Sequence, residues 1–132
     1  MPEADLLRFV TRNRHPPYGH RSGIIQAAYK LWRESTLPPE KHTAIRAILD
    51  WFNEHLDAPE RLSTSRYPRA QATAVSWIRS SALEHVKNLR RLVALIEAEG
   101  ISVDELRTTQ PGYVVYEDVH QVVALPFSDT PR

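Results

Sequence analysis

Apolar and β-branched positions cluster first over Leu6-Leu7-Arg8-Phe9-Val10-Thr11, a run bounded by polar residues 12–14 and by Pro16-Pro17. So short a run between breakers favours a strand, which is expected over 6–11. After a loop over 12–21, Ile24, Ala27, Ala28, Leu31 and Trp32 recur at spacings of three and four. That period marks one face of a helix over 23–34, with Ser22 placed to cap its start. Pro38 and Pro39 stand where a helix tolerates missing N–H groups, and Ile45, Ile48, Leu49, Phe52 and Leu56 follow at helical spacing. An amphipathic helix over 39–56 follows, with a loop over 57–69.

From 70 to 99 the apolar set Val75, Ile78, Ala82, Val86, Leu89, Val93 and Ile96 steps by three or four throughout. The spacing predicts one helix of roughly 45 Å at ~1.5 Å per residue, bent at Ser80-Ser81. Gly100 closes it in a left-handed conformation, with Ile101 in the accompanying apolar contact. The last third is richer in β-branched and aromatic residues, in runs over 101–108, 113–116 and 120–125 separated by Gln110-Pro111-Gly112 and Glu117-Asp118. These suit an antiparallel meander. The order predicts an α+β fold in which a small antiparallel sheet, the N-terminal strand plus a C-terminal three-stranded meander, is packed by three helices, one of them long.

A chain of 132 residues is expected to form a single domain over 1–132, and 42% apolar residues suffice for a core. The absence of cysteine excludes disulfides, thiolate chemistry and iron–sulfur ligation. Acids near the N-terminus do not fit a signal peptide, and no run approaches a membrane span, so a cytoplasmic protein without a membrane partner is expected. A net charge of +1 excludes a basic coat over the whole surface. Charge is nevertheless uneven. Residues 60–91 hold seven Lys and Arg against Glu60 and Glu84, whereas 92–132 hold Arg107 and Arg132 against seven acids.

At Leu7-Arg8-Phe9-Val10, Gly23-Ile24-Ile25-Gln26-Ala27-Ala28-Tyr29, Leu49-Asp50-Trp51-Phe52-Asn53-Glu54-His55-Leu56 and Pro111-Gly112-Tyr113-Val114-Val115-Tyr116-Glu117-Asp118, the chain resembles a family of small, stand-alone, uncharacterised bacterial proteins. The resemblance extends to Ser76-Trp77, Glu84-His85 and Gln121-Val122-Val123-Ala124, and covers roughly 6–128. It implies a bacterial source and a complete protein, and it brings no activity with it.

Four groups of residues could carry chemistry. Arg14, His20, Arg21, Ser22 and Gly23 lead from a strand into a helix start, where main-chain N–H groups and guanidinium groups suit an anion. They lack the Gly-Lys-Ser/Thr of a phosphate loop and the spacing of a nucleophile elbow, and a capped, solvated loop explains the same residues. Arg61, Arg66, Tyr67, Arg69 and Arg79 form a basic patch with an aromatic that could stack on bases. Arg outnumbers Lys by 14 to 3 over the whole chain, so its prevalence here is background usage, and a solvated surface accounts for it. The histidines His15, His20, His42, His55, His85 and His120 show no metal-ligand spacing, and no metal or other cofactor is expected. Glu117-Asp118-Val119-His120 reads as a hairpin turn in preference to a nuclease centre.

Tyr113 and Tyr116 fall on opposite faces of a strand with apolar neighbours on both, which marks them as an interface with another protein or a second copy. No set of acid, base and nucleophile stands. The expected function is therefore non-enzymatic: a bacterial binding or regulatory protein acting through a surface patch. The alternatives are a nucleic-acid-binding module using 61–91, and a small enzyme acting on an anionic or phosphorylated ligand at 12–23.

Overall fold

The strand expected over 6–11 runs on to Arg14 and organises the molecule around itself. The computed structural model describes residues 6–14, 21–34, 36–57 and 74–131. In chain order the elements are β1 (Leu6–Arg14), β2 (Arg21–Gly23), α1 (Ile24–Trp32), α2 (Pro39–His55), β3 (Val75–Arg79), α3 (Leu83–Glu97), β4 (Asp104–Thr108), β5 (Tyr113–Glu117) and β6 (Gln121–Leu125). The fold is α+β, with an antiparallel six-stranded sheet and, among the described residues, three helices.

One edge of β1 is occupied by β4, in a continuous register from Leu6↔Thr108 to Val10↔Asp104. Its other edge is divided. Leu6 and Leu7 pair with Arg79 and Ile78 of β3, while Val10 and Arg14 pair with Gly23 and Arg21 of β2. Continued, the β1–β3 register would set Arg8 against Trp77 and Phe9 against Ser76, but pairing stops at Leu7↔Ile78 and the strands part. Beyond β3 come β6 and then β5, so β4 and β5 are the outer strands.

The helix expected over 70–99 is two elements. Val75–Arg79 is a strand, Ser80-Ser81 is the turn, and the helix begins at Leu83. Periodicity misleads here because this strand buries side chains on both faces: Trp77 and Val75 point to one side and Ile78 to the other, all three under 9% exposed. A strand buried on both faces loses its alternation, and the Val75–Ile78 step then mimics a helical turn. The C-terminal meander is corrected as well. Its three runs are strands, but β4 leaves its sequence neighbours to pair with β1, and only β5 and β6 form a hairpin. Ser22 lies within β2, so the helix start is capped by Gly23, without a side-chain bond. Gly100 does close its helix, at φ +85°, and Ile101 packs on the core.

All three helices bury their apolar stripes on one face of the sheet, where Phe9 and Ile78 meet Ile24, Ile45, Phe52, Leu89 and Ile96. Leu6, Val75, Trp77 and Val122 form a second cluster on the opposite face. The β4 edge is laced with ion pairs, Glu105 holding Arg90 at 2.9 Å and Arg107 at 2.8 Å. Such pairs add at most about 1 kcal/mol each, but they keep that edge polar and unattractive to a stray strand.

Candidate anion-binding site

The parting of β1 and β3 leaves a notch through the sheet, and the start of α1 runs into it. Its walls are Leu7, Arg8 and Phe9 on β1, Gly23 to Gln26 at the start of α1, and Ala74 to Ser76 at the start of β3. Leu56, Ile78 and Leu89 line it from the helix side, and its volume is about 240 Å³. Arg8 is the only ionisable side chain among these described lining residues.

Arg8 is the unusual group in this wall. It alternates with Leu6 and Val10 along β1, and all three are buried, Arg8 to 8% exposure. Its Nη2 donates to the carbonyl of Arg21. Its Nη1 is buried and has no hydrogen-bond partner among the described residues. Burial, and then the nearby Arg21 charge, pull its pKa down to about 10, so at neutral pH it remains a cation in a place that disfavours one. Arg21 itself is paired with Asp104 at 2.7 Å.

The start of α1 adds a second electropositive feature. Gly23 caps the helix with extended backbone and no side-chain bond, and its first turn carries no acidic residue. First-turn N–H groups point out of a helix end and, with its dipole, favour an anion. A Cβ added at Gly23 would meet nothing within 4 Å, so space at this end is open.

The expected anion residues divide around this notch. Gly23 lines it. Arg21 is engaged with Asp104 beside it, Ser22 lines a wider groove on the other side of α1 with Arg12 and Lys30, and Arg14 pairs with Arg21 through the backbone. His20 lies outside the described residues, as do Arg61, Arg66, Tyr67 and Arg69 of the basic patch. Arg79 ends β3, where its Nε donates to the Asp118 carbonyl at 2.9 Å and its Nη2 meets Glu117 at 3.3 Å. Tyr113 is 55% exposed and packs edge-on against Phe127. Tyr116 is half-buried and donates to Asp118 at 2.8 Å. Arg8 is the residue that sequence reasoning missed. The one signal was a charged side chain inside an otherwise apolar strand.

Three histidines that look scattered in sequence also converge. His85, in the first turn of α3, donates from Nε2 to the His55 carbonyl at 2.7 Å and stacks on His120 with centroids 4.1 Å apart. Trp51 stacks on His55 and meets His85 edge-on. Burial, together with the neighbouring His120 and His55, lowers the His85 pKa despite the His55 carbonyl and Asp118. The cluster joins the end of α2, the start of α3 and the β5–β6 turn. Asp118 sets that turn by accepting from the N–H groups of His120 and Gln121 at 2.8 and 3.0 Å. Among the described residues no group of three or more His, Cys, Asp or Glu side chains is arranged to hold a metal ion, and no helix is long and apolar enough to cross a membrane.

No family model, curated protein or solved structure matches the chain.

Proposed function

We propose that this protein is a binding module for a small anionic ligand, a carboxylate or phosphate with an apolar body, seated in the notch between β1 and β3. The observation that carries this reading is Arg8, a residue of the notch wall whose guanidinium is buried with Nη1 unpartnered among the described residues. A buried unpaired cation costs several kcal/mol, and an anion bound beside it offsets that cost, favoured also by the dipole at the start of α1. The reading is of binding and not of catalysis, since the described lining residues include no general base, and Ser76, the one hydroxyl among them, donates to Gln121 Oε1 at 3.3 Å.

The test is thermal unfolding in acetate or phosphate against chloride at matched ionic strength. The unmodified chain is expected to melt higher as either anion is titrated, in proportion to the logarithm of its concentration above the Kd, and Arg8→Met is expected to lose that dependence. An equal gain in Arg8→Met, or no gain in the unmodified chain, defeats the proposal.

A further inference from the structure

The end of α2, the first turn of α3 and the β5–β6 turn meet at a corner built from imidazole rings. His85 is 4% exposed and stacks on His120 with centroids 4.1 Å apart and ring planes 26° from parallel. It also meets Trp51 edge-on at 4.8 Å and Phe52 at 6.2 Å. Its Nε2 donates to the His55 carbonyl at 2.7 Å, a bond that either charge state of the ring can make. The Nδ1 of His120 is buried without a hydrogen-bond partner among the described residues, so a proton there finds no acceptor. The two sides of this seam are held differently. On the sheet side, Arg79 fastens the turn to β3, its N–H donating to the His120 carbonyl and its Nε to the Asp118 carbonyl, both at 2.9 Å. On the helix side, the His85 bond to the His55 carbonyl fastens α3 to α2. Across the seam run the His85–His120 stack and the bond from Gln121 Nε2 to the Asp57 carbonyl at 2.6 Å.

Protons strike at the stack and spare the fastenings on either side of it. Two imidazolium rings face to face at 4.1 Å repel, and the first turn of α3 opposes a cation of its own. The charged groups around the pair do not cancel that repulsion. Asp118 attracts a cation here, but its Oδ1 already accepts from the N–H groups of His120 and Gln121, and its Oδ2 from the Tyr116 hydroxyl and Gln121 Nε2. Glu117 is paired with Arg79 at 3.3 Å, Asp57 and Glu84 are exposed, and His55 adds like charge when protonated. Burial and the two neighbouring imidazoles hold the His85 pKa below its ordinary value, against the pull of the His55 carbonyl and Asp118.

We propose that the His85–His120 stack is a proton-operated latch: below about pH 6 the rings part, and the corner of α2 and α3 separates from the β5–β6 turn while the sheet and the helical core stay folded. Protonated His85 stays on the His55 carbonyl, which lies at the electronegative end of α2, so the two helix ends move together. The open seam uncovers the His85 ring. The latch stands apart from the anion reading, since no ring of the stack lines the notch.

The test is nuclear magnetic resonance of the full chain at about pH 8 and about pH 5, either side of the histidine range. At the higher pH the ring protons of His85 and His120 are expected to cross-relax; at the lower pH that signal is expected to be lost. Amides of β1, β4 and the middle of α2 are expected to keep their protection from exchange at both values, once the intrinsic pH dependence is removed. Cross-relaxation that survives at about pH 5 overturns the latch. Protection lost throughout the chain at that pH overturns it too, because acid is then unfolding the whole domain. A variant separates charge from packing. His120→Phe keeps a ring against His85 and cannot take a proton, so the contact is expected to persist at about pH 5, and His85 is expected to protonate at a higher pH than in the unmodified chain. A seam that parts in this variant as it does in the unmodified chain rules out the pair as its cause. Should His120→Phe fail to fold, the two readings on the unmodified chain still decide.

Discussion

Arg8 shows how much one side chain can tell when its surroundings contradict its chemistry. With its pKa held down at about 10 by burial, the guanidinium opposes folding at all pH values below about 10, and that penalty shrinks as the pH rises beyond about 10. Arg8→Met, of similar length and uncharged, is therefore expected to stabilise the unliganded chain at pH 7 by about 1–3 kcal/mol in urea melts. A loss of stability would mean that the charge is already compensated. Phe52 illustrates the ordinary case. It is 4% exposed among the helices, and Phe52→Ala should cost about 3–5 kcal/mol through lost transfer energy and a cavity, measured in the same melts. Gly112 is decided by space. At φ +121°, a Cβ there would sit 1.9 Å from the Leu125 carbonyl oxygen. Gly112→Ala is expected to cost about 2 kcal/mol or more, and a melting curve like that of the unmodified chain would refute the close approach.

Between elements, the histidine cluster acts as a joint. Because the folded His85 pKa lies below 6.5, its contribution to stability is complete above about 6.5 and disappears as the pH falls through the folded value. Its place in the first turn of α3 works in the same direction, since an imidazolium there opposes the helix dipole. His85→Gln is expected to flatten the decline in melting temperature between about pH 7 and 5; an unchanged profile would show that the acid sensitivity lies elsewhere. This joint illustrates what was legible in sequence. α1 and α2 were, because each buries one stripe and 3.6-residue spacing reports a single buried face. β3 was not, because burial on two faces erases its period of two. Gly23 could be named from sequence as part of the candidate anion site, because main-chain N–H groups at a helix start suit an anion. Arg8 could not, because alternation alone assigns a polar residue in a strand to solvent. Its burial depends on what lies across the sheet, and so do the meetings of His55, His85 and His120, which no local spacing encodes.

At the scale of the whole molecule, the sheet closes over long sequence distances. β1 lies between β4 and the pair β2 and β3, and β6 joins β5 to β3. A chain ending at residue 100 keeps all three described helices but lacks β4, β5 and β6. It is expected to show no cooperative melt by circular dichroism and no protected amides in β1, whereas a sharp transition would place the stability in the helices. The central position of β1 also sets an order of events during synthesis. Its apolar segment is made before the other described strands, and its partner Thr108 for Leu6 is added about a hundred residues later, a delay of about 5–20 s at ordinary rates of translation. During that interval Leu6, Leu7, Phe9 and Val10 have no strand to meet on the β4 side. The newborn chain thus presents a sticky segment to the cell's holding chaperones, and its yield should depend on them.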